Sequence, residues 1–219
     1  MTTNTSSNRL RITEIFLSLQ GESSTVGIPT VFIRLTGCPL RCQYCDTSYA
    51  FQGGEWMDIE TIVQQVDRLQ VPYVTVTGGE PLAQKACLKL LKQLCDRKYK
   101  VSLETSGAID IADVDQRVVK VMDIKTPASE ESGKNNFANI EHLLALDKIK
   151  FVICDRQDYD WAKDMLNEYK LPERCEILFS PSSGQLNPTE LADWIVQDRL
   201  PVRFQLQLHK ILWGDQAGR

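Results

Sequence analysis

Three cysteines lie close together in the sequence, and their type and spacing suit a specific chemistry. Cys38, Cys42 and Cys45 form a Cys-x3-Cys-x2-Cys pattern, which places three thiols on one short loop. Proteins normally hold a cubane iron–sulfur cluster with four cysteines. A loop that supplies three leaves one iron without a protein ligand, so this pattern predicts a cluster to which a small molecule can bind.

Structural zinc and disulfides are the other common uses of clustered cysteines. Zinc prefers four tetrahedral nitrogen or sulfur ligands, but His142 and His209 are distant in sequence and the remaining cysteines are scattered. The odd total of seven cysteines and the polar N-terminal residues, in which we find no secretory segment, disfavour a disulfide framework. A zinc-binding interaction module stays open as an alternative of a different class.

A second motif agrees with the cysteine loop. Gly78-Gly79-Glu80 follows it by about one βα unit, and the loop itself carries an aromatic residue, Tyr44, before its last cysteine. Together they resemble the radical S-adenosylmethionine (SAM) superfamily. The resemblance implies a [4Fe-4S] cluster on the three cysteines, SAM bound at the open iron, and reductive cleavage of SAM to a 5′-deoxyadenosyl radical. It also implies the cofactor contacts Tyr44, Gly78, Gly79, Glu80, Ser106 and Ser180, with Glu80 accepting from the SAM ammonium.

The segments around these motifs narrow the resemblance. Several segments are similar to 7-carboxy-7-deazaguanine synthases over nearly the whole chain: Leu19-Gln20-Gly21-Glu22, the strand around Arg34, Asp46-Thr47, Glu104-Thr105-Ser106-Gly107, Asp123-Ile124-Lys125 and Gln207-Leu208-His209-Lys210. That family implies conversion of 6-carboxy-5,6,7,8-tetrahydropterin to 7-carboxy-7-deazaguanine with loss of ammonia, assisted by Mg²⁺. A glycyl-radical-enzyme activase shares the cluster motif and the small size, and it stays open as a second alternative.

The predicted substrate contacts suit a pterin, which presents a planar edge of ring nitrogens, an amine and a carbonyl. Gln20 can both donate and accept, Glu22 accepts from N–H groups, and the guanidinium of Arg34 suits a carboxylate or carbonyl. With the resemblance, the predicted substrate-binding set is Gln20, Gly21, Glu22, Arg34, Thr77, Lys125 and His209, and Thr47 is the predicted Mg²⁺ contact. No side chain is assigned as a catalytic acid, base or nucleophile. Lys125 suits either a ligand carboxylate or the neighbouring Asp123.

The elements that must position these residues alternate between short apolar runs and helix-period segments, which is typical of βα units and a mainly parallel sheet. We predict six strands and a weaker seventh: Val31–Leu35, Tyr73–Thr77, Val101–Glu104, Val119–Ile124, Ile149–Ile153, Glu176–Phe179 and Arg203–Leu208. Helices are predicted after Asp58, from Pro81, and over Ile140–Leu146, Asp158–Tyr169 and Pro188–Gln197. The motifs follow successive strands, at the sheet edge where α/β proteins bind ligands.

The resemblance implies an α/β fold, a partial triose-phosphate-isomerase-like radical SAM barrel, which we expect to have about six mainly parallel strands and some helices shortened or missing. A flexible N-terminal tail is predicted over residues 1–9 and a single domain over residues 10–219. The acidic stretch Ala128–Asn136 is interpreted as a mobile loop.

The bulk properties limit the partners. A net charge of −4 disfavours a nucleic-acid surface, and no apolar stretch approaches a membrane span. The expected setting is the cytoplasm. The expected partners are the pterin substrate, a reducing electron donor such as flavodoxin or ferredoxin, and a second copy of the chain in a homodimer.

Overall fold

The computed structural model describes residues 8–214, 216 and 218. Its strands are β1 (Arg9–Leu19), β2 (Pro29–Leu35), β3 (Glu55–Asp58), β4 (Tyr73–Gly78), β5 (Lys100–Thr105), β6 (Val119–Asp123), β7 (Lys148–Ile153), β8 (Glu176–Pro181) and β9 (Arg203–Phe204). Its α-helices are α1 (Ile59–Leu69), α2 (Cys87–Asp96), α3 (Arg156–Glu168), α4 (Pro188–Asp198) and α5 (Leu208–Trp213). Among the described residues, no helix is long and apolar enough to span a bilayer.

All nine strands form one open sheet in the order β3-β1-β2-β4-β5-β6-β7-β8-β9. The pairs from β2 through β4, β5, β6, β7 and β8 to β9 are parallel, whereas β1 is antiparallel to both β2 and β3. The six predicted strands are therefore confirmed, and the fold is the expected partial barrel. The weak seventh strand is shorter than predicted, because the chain leaves the sheet after Phe204 and begins α5 at Leu208.

The helices cover the outer face of the sheet. Apolar residues of α1 recur at helical spacing and are buried, as are those of α2. On the other half of the sheet, Phe151 and Phe179 meet edge to face at 5.4 Å, and Tyr159 of α3 packs on Phe179 at 6.1 Å. This layer of aromatic and aliphatic side chains leaves the inner face of the sheet free to form a site.

Several connections lack an α-helix, as expected for a trimmed barrel. The predicted helix Ile140–Leu146 is wrong: the chain forms a 3-10 helix over Phe137–His142, and Leu144 and Leu146 are exposed. Pro81 opens a short 3-10 helix, Pro81–Ala83, and α2 begins only at Cys87.

Two further differences between prediction and structure concern the N-terminal tail and the acidic stretch 128–136. Residues 1–7 of the predicted tail lie outside the described residues, and Arg9 already begins β1. The stretch 128–136 is folded. It contains the last two residues of the 3-10 helix Pro127–Ser129 and the whole of the 3-10 helix Ser132–Lys134, and Glu131 within it is buried.

Candidate active site

The ends of the parallel strands surround one cavity of about 290 Å³. It contains residues from every motif identified in the sequence, including the three cysteines. Of the predicted site residues, those that line it are Gln20, Gly21, Glu22, Arg34, Cys38, Cys42, Tyr44, Cys45, Thr47, Thr77, Gly78, Gly79, Ser106, Lys125 and His209. Segments almost two hundred residues apart in sequence thus meet at one site.

The cysteine loop follows β2, and its three thiols are free and half-buried. Leu40 N donates to Cys38 Sγ at 3.4 Å, and Cys45 N donates to the Cys42 carbonyl at 3.1 Å. Burial raises the pKa of the Cys38 and Cys42 thiols, while the nearby Lys125 acts in the opposite direction. Among the described residues, no three acidic, histidine or cysteine side chains converge on a point suited to a single metal ion. An iron–sulfur cluster binds its cysteines at separate irons, so convergence on one point is not required.

Glycines let the strand ends approach this loop closely. Gly78 has a φ of +154°, and a Cβ at Gly79 would lie 2.3 Å from the Gly37 carbonyl oxygen and 2.7 Å from Cys38 Cβ. No larger residue fits at Gly79 without moving the cysteine loop, so the Gly-Gly pair sets how β4 supports that loop.

Glu80 is held entirely by partners within the protein. Its side chain is fully buried, lies outside the cavity, and accepts from four donors: Leu82 N, Thr105 Oγ1, Ser106 N and Ser106 Oγ, at 2.6–3.0 Å. Those donors fill the acceptor capacity of a carboxylate. The predicted contact of this carboxylate with the SAM ammonium stays a prediction; in the structure Glu80 holds Thr105 and Ser106 at the cavity wall.

Ser180 is another predicted cofactor contact, and that role stays a prediction. It lies on β8 in register with Val152, is buried and does not line the cavity, and its Oγ has no hydrogen-bond partner among the described residues. The serines that do line the cavity are Ser182 and Ser183, just beyond the strand. Strand alternation places Ser180 on the face of the sheet opposite to that of the neighbouring Phe179.

Lys125, Asp123 and Tyr44 form one group beside the cysteines. Lys125 Nζ lies 2.9 Å from Asp123 Oδ2 and 5.6 Å from the centre of the Tyr44 ring. The second oxygen of Asp123, Oδ1, and the hydroxyl of Tyr44 are buried without partners among the described residues. Burial raises the pKa of the Tyr44 phenol well above its ordinary value, so this hydroxyl stays protonated. An unpaired acceptor and an unpaired hydroxyl next to the three thiols fit a polar ligand.

The opposite side of the cavity is built by Glu22. Its Oε2 lies 2.7 Å from Lys150 Nζ, and its Oε1 accepts from Gln207 Nε2 at 2.8 Å. Although burial raises the pKa of this carboxyl, Lys150 and Gln207 outweigh it and hold the pKa below its usual range. Glu104 accepts from Thr77 Oγ1 at 2.8 Å, and burial together with the charge of Glu22 raises the Glu104 pKa.

The end of the chain closes this side. Leu208 N donates to the Gly21 carbonyl at 3.0 Å, and Gln205 makes two hydrogen bonds with the backbone of Ser23. Gln20 is held in place from within the protein, since its amide donates to Thr75 Oγ1 and accepts from Glu22 N. These contacts fix the Gln20-Gly21-Glu22 segment as part of the wall.

Arg34 and Thr47 lie at the mouth. Arg34 Nε is 2.7 Å from Glu14 Oε1, and its guanidinium lies 5.9 Å from the centre of the Phe16 ring and 5.8 Å from that of Tyr49. Thr47 Oγ1 donates to Asp46 Oδ1 at 2.9 Å, and Asp46 Oδ2 lies 3.3 Å from Lys210 Nζ. Because the Thr47 hydroxyl donates, its lone pairs are left for another partner.

Comparison with known proteins identifies the family of this site. Residues 32–123 match the Radical SAM superfamily. The 7-carboxy-7-deazaguanine synthase of Chlorobaculum tepidum is 46% identical, over 95% of this chain and 96% of that protein. The chain belongs to the 7-carboxy-7-deazaguanine synthase family. The synthase of Koribacter versatilis is 42% identical, over 95% of this chain and 99% of that protein.

The fold comparison agrees with this membership. The crystal structure of QueE from Escherichia coli matches with a TM-score of 0.77, covering 92% of this chain and 95% of that chain at 23% identity. The match to the radical SAM superfamily sets aside the zinc module, and membership in the synthase family sets aside the activase. Membership also implies the [4Fe-4S] cluster and SAM, and the three free thiols, the tight Gly79 contact and the unpaired Tyr44 and Asp123 atoms fit those groups.

Sequence reasoning missed several residues that line the cavity. Glu104, Asp123 and Gln207 were recognised as parts of motifs but not as site residues, and Lys150 and the pair Ser182-Ser183 received no role. The position of Glu104 at the end of a predicted strand was an available signal for it. Lys150 gave a weaker signal, because a single lysine within an apolar strand also occurs at exposed edges.

Proposed function

We propose that this protein converts 6-carboxy-5,6,7,8-tetrahydropterin to 7-carboxy-7-deazaguanine with loss of ammonia, a step of 7-deazapurine biosynthesis such as that leading to queuosine. One observation carries the proposal: the three-thiol loop and the Gln20-Gly21-Glu22 segment line the same cavity. When bound, the cluster and SAM supply a 5′-deoxyadenosyl radical that removes hydrogen from C6 of the substrate. SAM is regenerated and acts as a cofactor.

The cofactor half of the site is formed by the loop and the neighbouring strand ends. Cys38, Cys42 and Cys45 hold three irons of the cluster. Around the open iron, the cofactor is bound by Tyr44, Gly78, Gly79, Ser106 and Lys125. Asp123 Oδ1, which is buried and unpaired among the described residues, suits a donor group of the bound cofactor.

The substrate half binds and orients the pterin. Glu22 is ionised and accepts from N–H groups of the pterin edge, while Gln20, Gly21 and Thr77 shape the pocket and His209 covers it from the chain end. Arg34 keeps its terminal guanidinium nitrogens toward the mouth for the carboxylate, since its contact with Glu14 runs through Nε. Closure by Gln207 and α5 keeps water from the reacting ring.

Thr47 Oγ1 would help to hold a Mg²⁺ ion, which would supply positive charge for the substrate carboxylate. A single hydroxyl oxygen is a weak site alone, and Mg²⁺ retains several waters, so ion binding requires substrate. Asp46, which accepts from the Thr47 hydroxyl, orients that ligand. Isothermal titration with Mg²⁺ checks this: heat is expected only with substrate present, and Thr47→Val removes it.

The remaining partners follow from the same assignment. The electron donor is an acidic carrier such as flavodoxin or ferredoxin, supported by the exposed cations Arg41 and Lys134 beside the cysteine loop.

The protein works in the cytoplasm as a homodimer. The exposed apolar side chains of Leu17, Ile211 and Leu212 support the homodimer. Sedimentation equilibrium distinguishes the dimer from a monomer.

An anaerobic turnover assay tests the function. The reconstituted protein is mixed with reductant, SAM, Mg²⁺ and carboxytetrahydropterin, and the deazapurine is detected by mass spectrometry. Product formation that is lost in Cys42→Ala supports the proposal. SAM cleavage without deazapurine would retain the radical chemistry and reject the substrate.

A further inference from the structure

Lys150 occupies a central place in the cavity. It lies in the middle of β7, its side chain is 15% exposed, and its Nζ lies 2.7 Å from Glu22 Oε2 and 3.7 Å from Asp123 Oδ2. One ammonium group thus lies between the substrate side and the cofactor side of the site.

The other cations around the cavity are engaged elsewhere. Lys125 pairs with Asp123 at 2.9 Å, Arg34 pairs with Glu14, and Lys210 pairs with Asp46. Within the described part of the chain, Lys150 is the cation in direct contact with Glu22. Glu22, Asp123 and Glu104 all line this cavity. Without Lys150, these carboxylates and Asp46, which also lines the cavity, would share a poorly hydrated space with one cation fewer, and like charges there favour protonation.

The protonation state of Glu22 decides which ligand edge it accepts. As a carboxylate, it accepts only, and each oxygen keeps room for a ligand N–H after accepting from Lys150 or Gln207. As a neutral acid, it would also donate and would tolerate an edge that presents a carbonyl.

We propose that Lys150 is a positioning and specificity-determining residue that holds Glu22 as an acceptor-only carboxylate, so that the site selects a 2-amino-4-oxo pteridine over its 2,4-dioxo counterpart. This inference rests on the proposed function and names how the same site recognises its substrate class. The two ligands differ at C2, where an N–H₂ donor is replaced by a carbonyl acceptor, and at the adjacent N1, which changes from an acceptor to an N–H donor. A polar site that loses its matched partner discriminates strongly against such a replacement.

Binding of two probes to the cluster-loaded protein tests this. The probes are 6-carboxypterin and 6-carboxylumazine, and their intrinsic fluorescence is titrated in the presence of SAM. The unaltered protein is expected to prefer the pterin by about tenfold or more. Lys150→Met is expected to weaken pterin binding by a similar factor and to reduce the preference, while Lys150→Arg retains it. The matched control is Lys148→Met, on the same strand but paired with Glu176 away from the cavity.

A double-substitution comparison separates positioning from general damage. If Lys150 acts through Glu22, then Lys150→Met has little further effect in a Glu22→Gln background. Equal losses in both backgrounds, or an unchanged preference in Lys150→Met, would overturn the inference. Iron content and thermal melting identify a misfolded variant, and Lys150→Gln, which keeps a donor without the charge, then replaces Lys150→Met in the same comparison.

The turnover assay keeps this inference distinct from the proposed function. If the unaltered protein forms no deazapurine and binds neither probe, the proposed function fails. If it forms deazapurine and prefers the pterin while Lys150→Met and Lys150→Gln keep the same preference, only the role of Lys150 fails.

Discussion

Gly21 lies directly against the imidazole of His209: a Cβ built on Gly21 would come within 2.1 Å of His209 Nδ1. The contact joins a segment near the start of the chain to the helix near its end. It explains why a glycine stands between Gln20 and Glu22, because any side chain there would move the residue that covers the substrate pocket.

Gly21→Ala is therefore expected to displace His209 and to loosen α5. The predicted result is a rise in KM for the pterin of about tenfold, the order expected when a ligand-binding hydrogen bond is lost, with the cluster content unchanged. Steady-state kinetics under anaerobic conditions measure it. Gly133→Ala is the control, since a Cβ there meets nothing within 4 Å. An unaltered KM in Gly21→Ala would mean that His209 does not contribute to substrate binding.

Glu80 offers a prediction about stability in the absence of cofactors. Glu80→Gln places an amide N–H₂ among four donors, so at least one hydrogen bond to a buried charge is lost and donors are left unpaired. We expect a loss of about 2–3 kcal/mol in the free energy of unfolding of the cluster-free protein. Denaturant unfolding measures it, with Glu60→Gln, at an exposed ion pair with Arg97, as the control. Unchanged stability together with lost SAM binding would instead favour a direct cofactor contact.

The segment 128–136 braces the cysteine loop. Glu131 accepts from Arg41 N and pairs with Lys134 at 2.9 Å, Lys134 Nζ donates to the Pro39 carbonyl at 3.1 Å, and Gln43 N donates to the Ser129 carbonyl. These contacts hold the segment between β6 and β7 against the backbone of the cysteine loop.

Glu131→Ala is expected to remove that support, at a cost of about 1–3 kcal/mol. The measurable consequence is faster loss of iron from the reconstituted protein in air, followed by the decay of its visible absorbance. Glu130→Ala changes the adjacent residue, which is exposed, and serves as control. Equal decay rates for the two variants would show that the brace does not protect the cluster.

His209 predicts a pH dependence. Burial lowers the pKa of this imidazole below 6.5, although Glu22 and Asp46 act in the opposite direction. The neutral form is thus favoured in the folded protein, so its contribution to stability is fully present above pH 6.5 and is lost as the pH falls through the lowered pKa. Substrate affinity is expected to weaken on acidification below pH 6.5.

A KM profile between about pH 5.5 and 7.5, the range around an ordinary histidine pKa, measures this effect. His209→Gln should flatten the histidine-dependent part of the profile, and His142→Gln, at an exposed position, should leave it intact. A profile that is the same in His209→Gln would assign the titration to another group.

Much of this architecture could be predicted because its signals are local. Strands such as β7 and β8 are short apolar runs, and α4 starts at Pro188 after Asn187, whose side chain accepts from Thr189 N as an N-cap. The cysteine and glycine motifs follow strands that are parallel and adjacent, so their meeting at one edge follows from topology.

The parts that were missed depend on distant partners. β1 and β3 were not predicted as strands. β1 forms by antiparallel pairing with β2, and β3 forms by antiparallel pairing with β1. The destination of the Glu80 carboxylate depends on residues 105 and 106, and the burial of Lys150 depends on Glu22, 128 positions away. Spacing along the chain carries no information on which of two polar partners, protein or ligand, satisfies a buried group.

The most direct test of the central claim, that the three-thiol loop and the Glu22 wall form one radical site for a carboxytetrahydropterin, is turnover with substrate deuterated at C6. Mass spectrometry of the quenched anaerobic reaction follows the label. The account predicts 7-carboxy-7-deazaguanine together with deuterium in SAM or 5′-deoxyadenosine. Cleavage of SAM with no deazapurine, or deazapurine formed while the cofactor remains free of label, would contradict it.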